Sequence, residues 1–325
     1  MNISLVMEKK MNHSSKWDSA CIIGYGGHAK TKILPALQKA GIDIVGVVSR
    51  NPSLNISGSK IFSSLKDAIL LLPNSTFFII ATPPNLHYSQ AKILIEAKKD
   101  VFIEKPAFLS LKESEELSNL ALKNKVVLAE MLMYLENQNV NEFINLIKSK
   151  RNQISNIECY FEIPNLPENT FRDETSLGNS LLSDIACYPL SLLAISGLDL
   201  NNLNLISDMQ MITDHKSFLI EGKSEEIDIF IQVGLSSNYH NKIKIKFRNG
   251  DEISAEPFFY GREAQIKINN INGTEKKERI IYEQDAFELM FKRHRSEWIS
   301  NQKYRLNIMK ETSKNIERLG RQAGF

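Results

Sequence analysis

The chain of 325 residues exceeds the length at which a single core usually stops growing, so two domains are expected. Its formal charge at pH 7 is only +2, which leaves no strong field for nucleic acid or an anionic membrane and points to small-molecule chemistry. Cys21, Cys159 and Cys187 and the six histidines lack disulfide or metal-ligand spacing, and no apolar run approaches the roughly 18 residues of a membrane span. A cytoplasmic protein with no metal is expected.

Residues 1–17 read as a loose polar tail, because the short apolar run from Ile3 to Val6 breaks at Glu8-Lys9-Lys10, and Met11 is an alternative start. Residues 19–23 form a short apolar strand that runs into Gly24-Tyr25-Gly26-Gly27-His28-Ala29, and residues 30–40 read as a helix. In this order the G-x-G-x-x-A pattern has a mechanism. Gly24 permits the tight turn, Gly26 lets backbone approach a pyrophosphate, and the small Ala29 lets helix pack on strand. Pro35 conflicts with the helix and predicts a kink. Residues 43–48 form a second strand ending in Ser49-Arg50-Asn51. An NAD-selective site expects a carboxylate there. A hydroxyl and a guanidinium suit a 2′-phosphate instead, so NADP(H) is expected in preference to NAD(H), with a solvated loop cation as the plainer reading of Arg50.

A short helix over 65–72 precedes a buried strand over 75–82, which stops at Pro83-Pro84-Asn85-Leu86-His87, a stiff turn into a helix over 88–98. The next strand, Val101-Phe102-Ile103, delivers Glu104-Lys105-Pro106 to a carboxyl edge of the sheet, where open α/β sheets bind ligands. A surface Glu-Lys pair would look the same. Ser110 and Glu113 form a capping-box pattern opening a helix to residue 123, and a strand over 126–130 follows. Strand and helix alternate throughout, so a doubly wound parallel sheet, a Rossmann domain over 18–132, is the economical topology.

From 133 to 325 the pattern becomes α+β. A helix over 139–150 is followed by strands over 157–163, 203–213, 226–235, 242–247 and 264–268, with Arg248-Asn249-Gly250-Asp251 a hairpin signal. An open, mostly antiparallel sheet is expected. Alternation in Lys242-Ile243-Lys244-Ile245-Lys246 gives it one apolar and one charged face, suited to a homodimer or larger homo-oligomer. Helices over 284–299 and 304–321 close the chain. One helix, over 180–196, interrupts the strands and carries Asp184 and Tyr188 four residues apart on one face. Read alone, this pair fits an internal hydrogen-bonding aspartate and a packed aromatic better than a site.

Together with the glycine turn, the pieces Ala81-Thr82-Pro83-Pro84-Asn85-Leu86-His87, Glu104-Lys105-Pro106 and Phe171-Arg172 through Ser183-Asp184-Ile185-Ala186-Cys187-Tyr188-Pro189 fall in an order and spacing that resembles one known family. It is the glucose-fructose oxidoreductase, inositol dehydrogenase and rhizopine catabolism family of NAD(P)-dependent oxidoreductases, and the resemblance spans about residues 18–325. The Met133-Tyr134 pair and Tyr188 look most like its dihydrodiol and NADP-dependent xylose dehydrogenase branch, although Leu135, Asn179 and Ser180 depart from that branch near the substrate. The resemblance implies catalytic roles for Lys105, Asp184 and Tyr188. It implies a cofactor site built from Gly24 through Ala29, including Tyr25, Gly27 and His28, with Ser49, Arg50, Thr82, Pro83, Asn85, His87, Glu104 and Lys105. It implies substrate contacts from Lys105, Tyr134, Arg172, Asp184 and Tyr188.

The implied reaction is hydride transfer between nicotinamide and a secondary alcohol or ketone of a sugar, sugar derivative or cyclic diol. An imine or conjugated double-bond reductase and a non-catalytic dinucleotide sensor are the alternatives, the sensor disfavoured by retention of all three catalytic types. For the proton, Lys105 within reach of the Tyr188 phenol would favour the phenolate. Lowering the phenol's pKa by about two units needs roughly 2.7 kcal/mol. In the other assignment Lys105 is itself the base. Cys187, about 100° around the helix from Tyr188, is expected only to pack.

Overall fold

The computed structural model describes residues 17–164, 181–212, 215–237, 239–260, 263–270 and 275–324. Six strands, β1 (Ser19–Ile23), β2 (Asp43–Val48), β3 (Lys60–Phe62), β4 (Phe77–Ile80), β5 (Val101–Ile103) and β6 (Leu128–Glu130), form a parallel sheet in the order β3-β2-β1-β4-β5-β6. Chain order reverses between β1 and β4. The crevice outside their carboxyl ends is therefore the topological switch point. Strands β1, β4 and β5 are buried on both faces, and alternate residues feed two cores: Ile22, Phe77, Ile79 and Phe102 on one side, Cys21, Phe78, Ile80 and Ile103 on the other.

Four helices complete this unit: α1 (Leu34–Lys39), α2 (Leu65–Leu71), α3 (His87–Glu96) and α4 (Leu111–Asn124). Pro35 kinks nothing abruptly, because the turn before α1, Ala29–Ile33, is a π-helix in which the Leu34 N–H reaches Ala29 O. The wide turn places Pro35 in the first turn of α1, where its missing N–H costs nothing. At α4 the Ser110 hydroxyl accepts from the Glu113 N–H at 3.3 Å. Trp17, assigned from sequence to the tail, is buried instead, with its ring 5.1 Å from Phe77 and its Nε1 donating to Asp100 at 2.9 Å.

The second unit opens with α5 (Gln138–Lys150) and carries a sheet of eight strands, three more than its sequence pattern gives. They are β7 (Ile154–Ile163), β8 (Asn204–Ile212), β9 (His215–Ser224), β10 (Ile227–Leu235), β11 (His240–Phe247), β12 (Glu252–Glu256), β13 (Glu263–Asn269) and β14 (Glu275–Ile281). Their order is β14-β13-β12-β11-β7-β10-β9-β8, antiparallel except for β7 beside β10. Of the missed strands, β14, at an edge, is nearly all charged and exposed, whereas β9 does bury Phe218 and Ile220. Gly250 at φ +90° turns the β11–β12 hairpin as expected. Ile243 and Ile245 face the core, while Lys244 and Lys246 face outward and pair with Glu158 at 3.1 and 2.8 Å.

Helix α6 (Leu181–Ile195) lies on the sheet's inner face. The expected helix over 284–299 divides into α7 (Ala286–Lys292) and α8 (Arg295–Ser300) at an extended Arg293, whose guanidinium is drawn 2.5 Å to buried Glu136. The long α9 (Gln302–Gln322) closes the fold. Among the described residues, no helix is long and apolar enough to cross a membrane.

Candidate active site

The glycine turn after β1 separates into two kinds of position. Gly24 has φ +85°, and a Cβ there would stand 2.8 Å from Thr82 Cγ2 and 2.9 Å from Ala81 O, so glycine is required to bring the end of β1 against that of β4. At Gly26 and Gly27 a Cβ would meet nothing within 4 Å. The protein itself imposes no crowding there, and the open space sits where the helix begins, with the Lys30 N–H reaching Gly26 O at 3.1 Å. Backbone amides at a helix start with room above them fit a pyrophosphate. Ala29 is buried, as its packing role demands.

At the end of β2, Ser49 Oγ accepts from the Asn51 N–H at 3.1 Å, and Arg50 is exposed. Its guanidinium makes no hydrogen bond or ion pair with a described side chain. Tyr25 lies under Lys30, 5.6 Å from ring centre to Nζ. Thr82 Oγ1 donates to Gln90 at 2.7 Å, Pro83 is half-buried, and Asn85 is exposed on the same crevice-side turn. His28, half exposed, stands 2.9 Å from the carboxylate of buried Glu104, which also accepts from the Lys105 N–H at 3.2 Å.

His87 is bonded within the protein. Its ring is buried, with Nε2 2.8 Å from Thr82 O and Nδ1 3.1 and 3.2 Å from the carbonyls of Pro106 and Ala107. It therefore ties the turn after β4 to the turn carrying Lys105. Burial holds its pKa below the ordinary value of 6.5, against the pull of those carbonyls and of Glu104.

Lys105 and the α6 pair do come together. Lys105 Nζ donates to Asp184 Oδ1 at 2.6 Å and to Asp184 O at 2.7 Å, and lies 5.0 Å from the centre of the Tyr188 ring. Burial, the largest single influence, lowers the lysine's pKa, but Asp184, Tyr188 and Cys187 together outweigh it and the net shift is upward. Tyr188 differs from its expected behaviour. Lys105 covers the ring face and does not bond the hydroxyl, whose neighbour is Met133 Sδ at 4.0 Å. Burial raises the phenol's pKa, and the ammonium offsets this only in part, so Tyr188 is not primed as a phenolate.

Tyr134 is also placed differently. It is fully buried, its hydroxyl donates to Tyr188 O at 3.1 Å and lies 2.8 Å from Ser191 Oγ, and its ring packs 5.4 Å from that of Tyr188. It supports Tyr188 from behind. Cys187 is buried against Asp184 O, and burial pushes its thiol upward. Arg172 lies outside the described residues. Sequence reasoning passed over Phe161 and Phe259, whose rings wall Tyr188 at 4.8 and 6.2 Å, because nothing local distinguishes them from core. Glu130 was legible in principle: it ends β6, paired with Ile103 of β5, on the same edge as Lys105.

A cavity of about 670 Å³ lies elsewhere, on the outer face of the eight-stranded sheet around Tyr160 and Phe230. A smaller one of about 60 Å³ adjoins the site between Lys32, Met133, Tyr134, Phe259, Tyr260 and Phe287.

The open glycine turn thus stands beside a lysine, an aspartate and a tyrosine at the carboxyl edge of the parallel sheet. Residues 19–132 match the family model described as "Oxidoreductase family, NAD-binding Rossmann fold". It is 26% identical over 174 residues to a dTDP-3,4-didehydro-2,6-dideoxy-α-D-glucose 3-reductase of Saccharopolyspora spinosa, covering 52% of each chain. The chain thus matches about half the length of this curated relative. Among solved structures it resembles KijD10, a 3-ketoreductase of Actinomadura kijaniata in complex with NADP and TDP-benzene, with TM-score 0.75, 15% identity and coverage of 94% and 97% of the two chains. An aldose-aldose oxidoreductase of Caulobacter crescentus gives TM-score 0.76 at 14% identity, with the same coverage. At these identities the likeness is one of fold.

Proposed function

We propose that the protein is an NADP(H)-dependent oxidoreductase that reduces a ketone of a sugar or sugar derivative to a secondary alcohol. The observation that carries this reading is the convergence of Lys105, Asp184 and Tyr188 on the carboxyl edge of β5, beside the open glycine turn. The nicotinamide, when bound, supplies the hydride to the carbonyl carbon. Gly26, Gly27 and the amides of the helix start would hold its pyrophosphate, and Ser49 and Arg50 the 2′-phosphate.

The protein's share is the proton. With pKa values raised at both Lys105 and Tyr188, each holds its proton at neutral pH, so the site stands ready to stabilise and protonate an oxygen that gains charge as hydride arrives. Tyr188 is the proton donor in this reading, Lys105 the charge that steadies the forming alkoxide, and Asp184 the group that aims Lys105. This favours reduction over the deprotonation that a phenolate would serve. The curated relative's activity as a 3-reductase supports the same direction, and its nucleotide-linked substrate makes nucleoside-diphosphate keto-sugars the first to try.

The test is loss of NADPH absorbance with a panel of free and nucleotide-linked keto-sugars, run beside NADH. Turnover of at least one sugar ketone is expected. Tight NADPH binding with no turnover of any ketone, imine or enone would replace this reading with that of a sensor.

A further inference from the structure

Glu130 has no part in the mechanism above, yet it grips the element that delivers Lys105. Its Oε1 accepts from the Ala107 N–H at 2.9 Å, while His87 faces the Ala107 carbonyl at 3.2 Å, so this peptide is held from β6 on one side and α3 on the other. Its Oε2 is shielded from solvent and has no hydrogen-bond partner among the described residues. A buried oxygen without a donor is far costlier ionised than protonated. The charged groups around it divide. From the end of β5 come Glu104, which opposes a further negative charge, and Lys105, which favours one but is already bonded to Asp184. From α6 comes the Cys187 thiol, and from the turn after β6 the Tyr134 phenol, both neutral.

We propose that Glu130 is a positioning residue for Lys105: Oε1 fixes the turn that aims the lysine, and Oε2 carries a proton in the active form, which leaves Asp184 as the ammonium's bonded counter-charge. This rests on the reductase reading. Burial accordingly lifts the Glu130 carboxyl to about 7. Below that value the cluster has one negative charge fewer. Above it, a new carboxylate beside Lys105 competes for the ammonium and repels the forming alkoxide, so kcat falls as pH rises through about 7.

Two arms test this. Carboxyl-carbon NMR on protein labelled at glutamate should show one side chain titrating near pH 7 that vanishes in Glu130→Gln. A full set of glutamates titrating below about 5.5, or persistence of the high resonance in Glu130→Gln, overturns the proposal whether or not a substrate is known. In the second arm, with a ketone turned over by the wild type, Glu130→Ala should lower kcat about tenfold or more with KM little changed. Glu130→Gln, which keeps an oxygen for Ala107, should restore most of it and lack the decline near pH 7. An unaltered decline in Glu130→Gln overturns the proposal, and should Glu130→Ala fail to fold, the glutamine variant decides. If no ketone is reduced, the reaction assignment fails on its own while the NMR arm still reports on Glu130.

Discussion

Lys105 is held by two bonds to one residue, Asp184, and only its distance to the Tyr188 ring ties it to the phenol. Replacing either Lys105 by Met or Tyr188 by Phe removes a group needed only as the alkoxide forms. Each change should lower kcat by about two orders of magnitude or more while NADPH binding stays nearly intact. Stopped-flow or steady-state rates together with fluorescence titration of NADPH separate the two quantities, and an unchanged kcat in Tyr188→Phe would remove the tyrosine as donor. Arg50 belongs at this scale too. A charge-assisted bond to a 2′-phosphate contributes about 1.5–3 kcal/mol, roughly ten- to a hundredfold in affinity. Arg50→Ala should lose that for NADPH and nothing for NADH. Equal NADPH affinity in both proteins would sink the cofactor preference. Of the proposed site, Lys105 was legible at the end of a strongly patterned strand, whereas Asp184 and Tyr188, inside α6, read alone as core and stood out only through the family resemblance. The state of Tyr188 was not, since its pKa depends on burial by Phe161, Phe259 and Tyr134 from three distant segments.

Among the elements, the turn after β1 gives a paired prediction. In Gly24→Ala the new methyl meets Thr82 and the Ala81 carbonyl at a positive φ, so the melting temperature should fall. Gly26→Ala enters open space, so stability should hold while NADPH binding weakens. A Gly26→Ala protein that binds NADPH like the wild type would show that the open space is not the phosphate site. The two turns joined by His87 add a pH dependence. Its folded pKa is depressed below 6.5, so below that pH the unfolded chain takes up a proton that the folded one resists. Stability contributed by His87 should be fully present above pH 6.5 and drain away as pH falls toward the depressed value. Calorimetry at pH 7.5 and 5.5 should show a smaller loss in His87→Gln than in the wild type. An equal loss would exclude His87 as its source. The sequence pattern made β7, β8, β10, β11 and β13 legible; β12 and β14 were hidden because their partners in the sheet, not their own patterns, make them strands, while β9, which buries Phe218 and Ile220, was passed over.

Across the whole molecule the eight-stranded sheet turns one face inward and leaves the other to Lys242, Lys244 and Lys246, their glutamate partners, and the Tyr160–Phe230 ring pair at 5.7 Å. Surface ion pairs of this kind contribute about 0–1 kcal/mol each, so they do not explain two aromatic rings left at the bottom of an open depression. A homodimer through this face is the expected outcome by light scattering at micromolar concentration, and Phe230→Asp should shift it toward monomer. A monomer mass for the wild type would discard the interface.

The aromatic ladder inside the molecule bears on its history as a single chain. Trp17, Phe77 and Phe102 line one face of the parallel sheet, and what covers them is Phe291, 6.1 Å from Phe102, and Trp298, 5.0 Å from it, both from near the far end of the sequence. The change of pattern near residue 133 is therefore a boundary of architecture and not a line of separation. A gene fragment ending there would leave three large rings facing water, and a duplication or shuffling event that moved the nucleotide unit would have to carry residues 286–300 with it or reinvent them.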